Sequence, residues 1–125
     1  MVKSIISMVI VAIILAVGVI YETTFIRGEF KKLVVATDVL YDKIDGQSAN
    51  ENDVYALQTK WVDAKNKLHA FISHNEIKEF DLWIAETVKL VAAEMWDEAL
   101  SKMEVIKELE EQVPKSFEFS FANVF

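Results

Sequence analysis

The sequence contains two histidines, His69 and His74, which are the first residues to consider for catalysis or metal binding. Five positions apart on a helix, their side chains would point about 140° away from each other, so they do not share a face. Glu76, Glu79 and Asp81 follow, and histidine with carboxylates is a ligand set that zinc accepts. A metal site, or a hydrolytic cleft where these groups converge, is one interpretation. A histidine at a helix end beside solvated carboxylates is the simpler one, and we favour it.

Carboxylates crowd the last predicted helix: Glu94, Asp97, Glu98, Glu104, Glu108, Glu110 and Glu111. Paired carboxylates perform acid–base chemistry when burial or a neighbour shifts the pKa of one of them. Here Lys102 and Lys107 alternate with them, which predicts a solvated outer face. The chain has no cysteine, no glycine-rich phosphate loop and no HExxH or GxSxG motif. We therefore predict that this protein is not an enzyme and has no catalytic residues, cofactor or metal.

The stretch that organises the chain is Ser4–Tyr21, SIISMVIVAIILAVGVIY, which carries no charge between Lys3 and Glu22. As a helix it would span about 27 Å, close to the hydrocarbon thickness of a bilayer. Because it has no polar face, we predict a transmembrane anchor over residues 1–24. The alternative is a cleaved signal peptide, with small residues at 16–18, although the apolar run continues beyond that point.

The basic residues around this stretch give conflicting signals for orientation. Lys3 and the free amino terminus favour a cytoplasmic N-terminus, whereas Arg27, Lys31 and Lys32 just past the stretch favour the opposite under the positive-inside rule. We expect a single-pass protein of the cell membrane whose C-terminal domain is extracytoplasmic.

Residues 25–125 predict a helical bundle domain with a C-terminal tail. Three glycines and one proline in 125 residues favour long helices. Apolar side chains recur at steps of three and four in four segments, and short connections make neighbouring helices antiparallel. The predicted fold is all-α: an N-terminal transmembrane helix followed by an up-and-down antiparallel helical bundle, with the first bundle helix continuing the anchor.

Turn and cap signals divide these segments. Residues 45–53 form the clearest loop, with Gly46 as a helix stop and Asn50 or Asn52 as the cap of the next helix over 54–73. Asn75 is the expected cap of the third helix, a tight turn is expected at 92–95, and Pro114 is expected to end the fourth helix.

Three aromatic features suggest contacts. Trp61 falls on the core stripe, whereas Trp83 lies at a stripe edge and is the best candidate for an exposed contact. The tail alternates Phe117, Phe119 and Phe121 with polar residues, which is typical of an extended segment. We expect these phenylalanines to fill a groove of the bundle; the alternative is a strip that faces a partner.

The chain resembles a family of short single-span proteins from Gram-positive spore-forming bacteria that is known only as a domain of unknown function. The resemblance rests on four features of the sequence: the N-terminal span, Trp61 with residues 68–72 (LHAFI), residues 74–77 (HNEI) and residues 122–125 (ANVF). It covers nearly the whole chain and supplies no catalytic residues. It implies that members accompany multi-span membrane proteins, in an accessory role.

A net charge of −7 argues against nucleic-acid binding, which needs clustered Lys and Arg. With an anchor, a core and no chemistry, we predict a membrane-anchored helical bundle acting as an accessory or scaffold protein through protein–protein interaction. Its expected partners are the lipid bilayer and either a membrane protein or a second copy of the chain. The alternative function is an extracytoplasmic ligand- or ion-sensing bundle.

Overall fold

The computed structural model describes the backbone of residues 2–124 and the side chains of residues 2–116. Within that range the chain forms four α-helices and no strand: α1 Val2–Asp45, α2 Glu51–Leu68, α3 His74–Ala92 and α4 Trp96–Val124. Helix α1 packs against α2 and α4, and α3 packs against the same two helices. The predicted all-α up-and-down bundle is confirmed.

Helix α1 runs without a break from the apolar N-terminal segment into the bundle. Its buried residues begin only at Ile26, and an 18-residue window with a mean hydropathy of 2.8 has none of its residues buried. By length and composition this helix is able to cross a membrane. The continuity of segment and first bundle helix, predicted from the apolar spacing, is confirmed.

The core lies between the four helices and is built by the predicted stripes. At its centre the ring of Trp61 stacks on that of Phe80 with centroids 4.3 Å apart, and the ring centroid of Phe30 lies 6.1 Å from that of Phe80. Trp61 is only 1% exposed, as its place on the α2 stripe predicts. The buried apolar residues of all four helices form one cluster, so the bundle shares a single core.

The caps that start α2 and α3 are both side-chain caps. Asn50 begins α2 with a complete capping box, in which its side chain and that of Asp53 each accept the other's backbone N–H. Helix α3 begins after Ser73, whose hydroxyl accepts the N–H of Glu76 at 3.2 Å. The prediction of Asn75 as the α3 cap is wrong, because α2 ends at Leu68 and the turn that buries Ile72 brings Ser73 into the cap position.

Two turn residues adopt the left-handed backbone conformation without being glycine. Gln47, after α1, and Glu94, after α3, each have φ of 56°. Gly46 has no positive φ, so it is not the left-handed residue that ends α1, even though its N–H bonds to the Asp42 carbonyl at 3.0 Å. Both strained positions lie at the end of the bundle farthest from the apolar segment.

Helix α4 does not end at Pro114. Its backbone continues as a helix to Val124, so the predictions of a stop at Pro114 and of an extended tail are wrong. Proline removes one backbone hydrogen bond and costs about 3 kcal/mol in a helix interior, but helices continue through proline where packing supports them. Val113, next to it, is buried in the core.

Candidate interaction surface

The two histidines lie at opposite ends of the α2–α3 turn and do not form a site together. His69 caps the C-terminus of α2, with Nδ1 2.9 Å from the carbonyl oxygen of Asn66. His74 is the exposed first residue of α3. Among the side chains that the structure describes, no three His, Asp or Glu residues gather to hold a metal ion.

Asp81, one of the carboxylates considered for chemistry, is occupied by structural contacts. Its Oδ1 accepts the indole N–H of Trp61 at 2.7 Å, and the Lys65 ammonium lies 3.4 Å away. This bond satisfies the only polar atom of a tryptophan that is otherwise enclosed in the core. Glu79 remains exposed on the same helix.

Glu110 departs from the solvated face that the sequence predicts for the α4 carboxylates. It is only 3% exposed, and it packs against α1, where its Oε2 lies 3.0 Å from the hydroxyl oxygen of Thr37. Its other oxygen, Oε1, is buried without a hydrogen-bond partner. Burial raises the pKa of Glu110 to about 7, against the opposing effects of Thr37 and Lys107, while Asp38 raises it further.

The hydrogen bonds of Thr37 fit the protonated form of Glu110. A threonine hydroxyl has one proton, yet its oxygen lies 2.9 Å from the Leu33 carbonyl and 3.0 Å from Glu110. When Glu110 is protonated, its hydroxyl donates to Thr37 and Thr37 donates to Leu33. When Glu110 is ionised, Thr37 donates to only one of the two oxygens.

The spacing of apolar residues in α4 indicates that Glu110 is buried, whereas the pattern of charges predicts that it is exposed. The buried positions of α4 run Ala99, Met103, Ile106 and Val113, and the step from 106 to 113 skips one helical turn. Position 110 fills that gap, four residues after Ile106 and three before Val113. A carboxylate at a core position of the stripe is therefore the mark of a buried acid.

Of the four aromatic side chains predicted to make interactions, the structure describes one, Trp83. Trp83 is half-buried against the core, and the Lys102 ammonium lies 4.7 Å from its ring centroid. Phe117, Phe119 and Phe121 belong to the helical backbone of α4, but their side chains lie outside the described residues. The role of all four in binding stays a prediction.

An apolar groove between α1 and α2 was not expected from the sequence. It has a volume of about 260 Å³, with a floor formed by Val35, Ala36, Val39, Leu40, Ala56 and Leu57. Lys32, Lys43 and Lys60 stand at its rim together with Asp53. Val35 and Val39 are 59% and 54% exposed, so the groove opens onto the side of α1 that faces away from the bundle.

We call that side the outer face of α1. Between residues 21 and 42 it carries seven exposed residues, with Lys32 and Asp42 at its two margins: Tyr21, Thr24, Gly28, Lys32, Val35, Val39 and Asp42. At about 100° per residue these positions fall within an arc of about 80°. Ile10, Ile14 and Val17 continue the same arc into the apolar segment. A single exposed stripe therefore runs from the apolar N-terminal segment up the bundle, where Val35 and Val39 are its large apolar residues.

The fold and this surface define a four-helix bundle that carries an apolar helical extension and exposes Val35 and Val39 beside a groove. The chain belongs to the DUF4363 family, a domain of unknown function, whose model matches residues 20–124. This confirms the resemblance to a family without an assigned activity; the origin in spore-forming bacteria stays a prediction. Comparison with curated proteins and with solved structures finds no match.

Proposed function

We propose that this protein is a membrane-anchored helical bundle that works as an accessory or scaffold protein through protein–protein interaction. The observation that carries the proposal is the outer face of α1, where Val35 and Val39 are exposed in line with the apolar N-terminal segment. Both valines adjoin the apolar groove between α1 and α2, and an exposed apolar patch with a polar rim is typical of a binding site.

The anchor is supported by the exposure of its side chains. From Val2 to Gly18 every side chain is exposed, and most of them are large and apolar, so water is an unfavourable surrounding for this segment. A bilayer covers such a helix, whose backbone hydrogen bonds are already satisfied internally. The continuation of the same helix into the core favours a retained anchor over a cleaved signal peptide.

We place the bundle outside the cytoplasm. The support is Lys3 and the free amino terminus, which favour a cytoplasmic N-terminus, whereas Arg27, Lys31 and Lys32 oppose this orientation under the positive-inside rule. Fusions at the C-terminus test this orientation. Alkaline phosphatase should be active and green fluorescent protein dark; the reverse result places the bundle in the cytoplasm.

The interaction itself is tested by purifying the tagged full chain from detergent-solubilised native membranes. We expect a membrane protein, or a second copy of the chain, to co-purify in stoichiometric amount, and we expect Val35→Glu to abolish this. Leu82→Glu is the matched control, because Leu82 is similarly exposed on α3. Recovery of the monomeric chain alone, or equal effects of the two variants, would contradict the proposal.

The second candidate function is an extracytoplasmic ligand- or ion-sensing bundle. The observation that favours it is Glu110, a buried carboxyl whose pKa of about 7 allows proton exchange near neutral pH. A screen of pH, metal ions and small molecules by thermal unfolding tests this function, since a ligand that binds the folded state raises the melting temperature. No shift with any of them would rule it out.

A further inference from the structure

The outer face of α1 is flanked by charges of opposite sign from Val35 upward. A basic edge lies on the α2 side and consists of Lys43 and Lys60, with Lys32 about one turn below Val35. An acidic edge lies on the α4 side and consists of Asp38 and Asp42. Asp38 is on this side because it pairs with Lys107 of α4 at 3.4 Å, and Asp42 is one turn further along α1.

Part of this charge is already engaged inside the chain, and part is available. Lys43 pairs with Asp53 at 2.9 Å, and Lys32 lies 3.5 Å from Glu29. Lys60 and Asp42 are exposed, and neither has an ion pair among the described side chains. The exposed pair Val35 and Val39 therefore has the positive charge of Lys60 on its α2 side and the negative charge of Asp42 on its α4 side, both unpaired within the part of the chain that the structure describes.

Copies of a chain anchored in one membrane share one orientation, so their α1 helices stand parallel and at the same height. A two-fold axis along two such helices brings each surface patch against its own copy. It also places the basic edge of one copy opposite the acidic edge of the other, as flanking charges do in parallel coiled coils. Two copies related in this way bring edges of opposite sign to face each other on both sides of the contact.

We infer that the outer face of α1 binds a second copy of this chain, forming a parallel homodimer in which Val35 and Val39 meet their counterparts between the two pairs of charged edges. This inference rests on the proposed membrane anchoring and names the partner of that interaction. Gly28 lies on the same face, and a side chain added there meets nothing within 4 Å in the monomer, so the helices are free to approach closely at this level.

Lys31, like Arg27 one turn below it, does not fit the pattern of edges. It lies on the acidic side, two turns below Asp38 and nearer to the apolar segment. At that height anionic lipid headgroups are the closer counterions for a lysine. The complementary charges of the dimer are therefore those of the upper part of the face, between Val35 and Lys43.

The test uses the absence of cysteine from the chain. Val39→Cys in the full-length protein places one thiol next to the proposed two-fold axis, within the short Cβ–Cβ distance that a disulfide requires. Mild oxidation of membranes should convert it to a covalent dimer at least tenfold faster than Leu82→Cys, an equally exposed position on α3. Equal rates for the two variants would overturn the dimer.

A charge reversal tests the pairing of the edges. In the Val39→Cys background, Asp42→Lys should slow cross-linking at least threefold, and raising the salt concentration should reduce this difference. Glu79→Lys, which reverses an exposed carboxylate on α3, should have no effect. If both reversals act alike, the complementary arrangement of edges is wrong.

Failure of this inference and failure of the proposed function give different results. If the full chain is absent from the membrane pellet, the anchor and with it the proposed function fail. If the chain is in the pellet and co-purifies with another membrane protein, but Val39→Cys cross-links no faster than Leu82→Cys, only the homodimer is excluded.

Discussion

A single side chain, Glu110, makes the stability of the bundle depend on pH. Its carboxyl has a pKa of about 7 in the folded protein, compared with 4.5 for an unperturbed glutamate. The charged groups that act on it are Asp38 of α1, which raises the pKa, and Lys107 of its own helix, which lowers it. The folded state therefore binds this proton more tightly than the unfolded state does.

We predict that the bundle loses stability between pH 5 and pH 8. The contribution of protonated Glu110 is complete below about pH 4.5 and is lost as the pH rises through about 7, and a shift of this size corresponds to about 3 kcal/mol. Glu110→Gln should remove most of this dependence, because its amide donates to Thr37 without carrying charge. Chemical denaturation at both pH values measures the effect.

Glu108→Gln is the control for this prediction, since Glu108 is exposed on the same helix and bonds to Gln112 at 3.0 Å. It should leave the pH dependence of the unfolding free energy unchanged. A parent protein equally stable at pH 5 and pH 8 would show that Glu110 titrates as an ordinary carboxylate.

Gln47 provides a second prediction for a single residue. A left-handed backbone costs a residue with a Cβ about 1 kcal/mol, and glycine avoids this cost at some loss of chain entropy. Gln47→Gly should therefore raise the unfolding free energy by about 0.5 kcal/mol. Gly46→Ala should be tolerated, because Gly46 has no positive φ and the added Cβ lies 3.4 Å from the Asp42 carbonyl oxygen. Destabilisation by Gln47→Gly would contradict the assigned turn.

Helix starts in this bundle depend on caps that the sequence only partly identifies. Both Asn50 and Asn52 precede α2 with suitable side chains, and only Asn50 is the cap. For α3, the sequence pointed to Asn75, two residues beyond the actual cap Ser73. Local propensity favours several neighbouring residues almost equally, and tertiary packing of Leu68 and Ile72 decides between them.

The assignment of the α2 cap leads to a prediction with a built-in control. Asn50→Ala removes the acceptor for the Asp53 N–H and should lower the unfolding free energy by about 1 kcal/mol. Asn52→Ala changes an exposed residue inside the first turn and should have little effect. Thermal or chemical unfolding of the two variants compares them directly. A larger loss in Asn52→Ala would show that α2 begins two residues later.

The helices were predictable from the sequence where the spacing of apolar residues determines them. Apolar steps of three and four predicted the helical stripes, including burial of Trp61, and the scarcity of breakers predicted the continuity of α1. The prediction that α4 ends at Pro114 was wrong, because a proline removes one backbone hydrogen bond but does not by itself end a helix. Here the helix continues past the buried Val113. The α1–α2 groove was beyond sequence reasoning, since it depends on which sides of two helices remain uncovered.

At the scale of the whole molecule, the chain divides into an exposed apolar segment and a domain that buries its own core. Among the described residues, the fully buried core begins at Ile26 and Phe25 is the first side chain that packs against it, although α1 begins at Val2. The bundle therefore does not need the apolar segment for its packing. The proposed anchoring and the packing of the core therefore depend on different parts of the same helix.

We predict that residues 25–125, expressed without the first 24, fold as a soluble helical domain. The full chain should remain in the membrane pellet after carbonate extraction, whereas the shortened chain should be in the supernatant with a similar helical content and melting temperature. The reason is that Ile26, Phe30 and Leu33 still complete the core with α2 and α4.

A fusion of residues 1–24 to a soluble reporter is the complementary control for this division. It should move the reporter to the membrane without shortening it, because an apolar helix of this length is long enough to cross a bilayer without the bundle. Release of a shortened reporter would identify the segment as a cleaved signal peptide. An unfolded or aggregated 25–125 fragment would show that the apolar part of α1 is needed for folding of the bundle, and would contradict the division of the chain at residue 25.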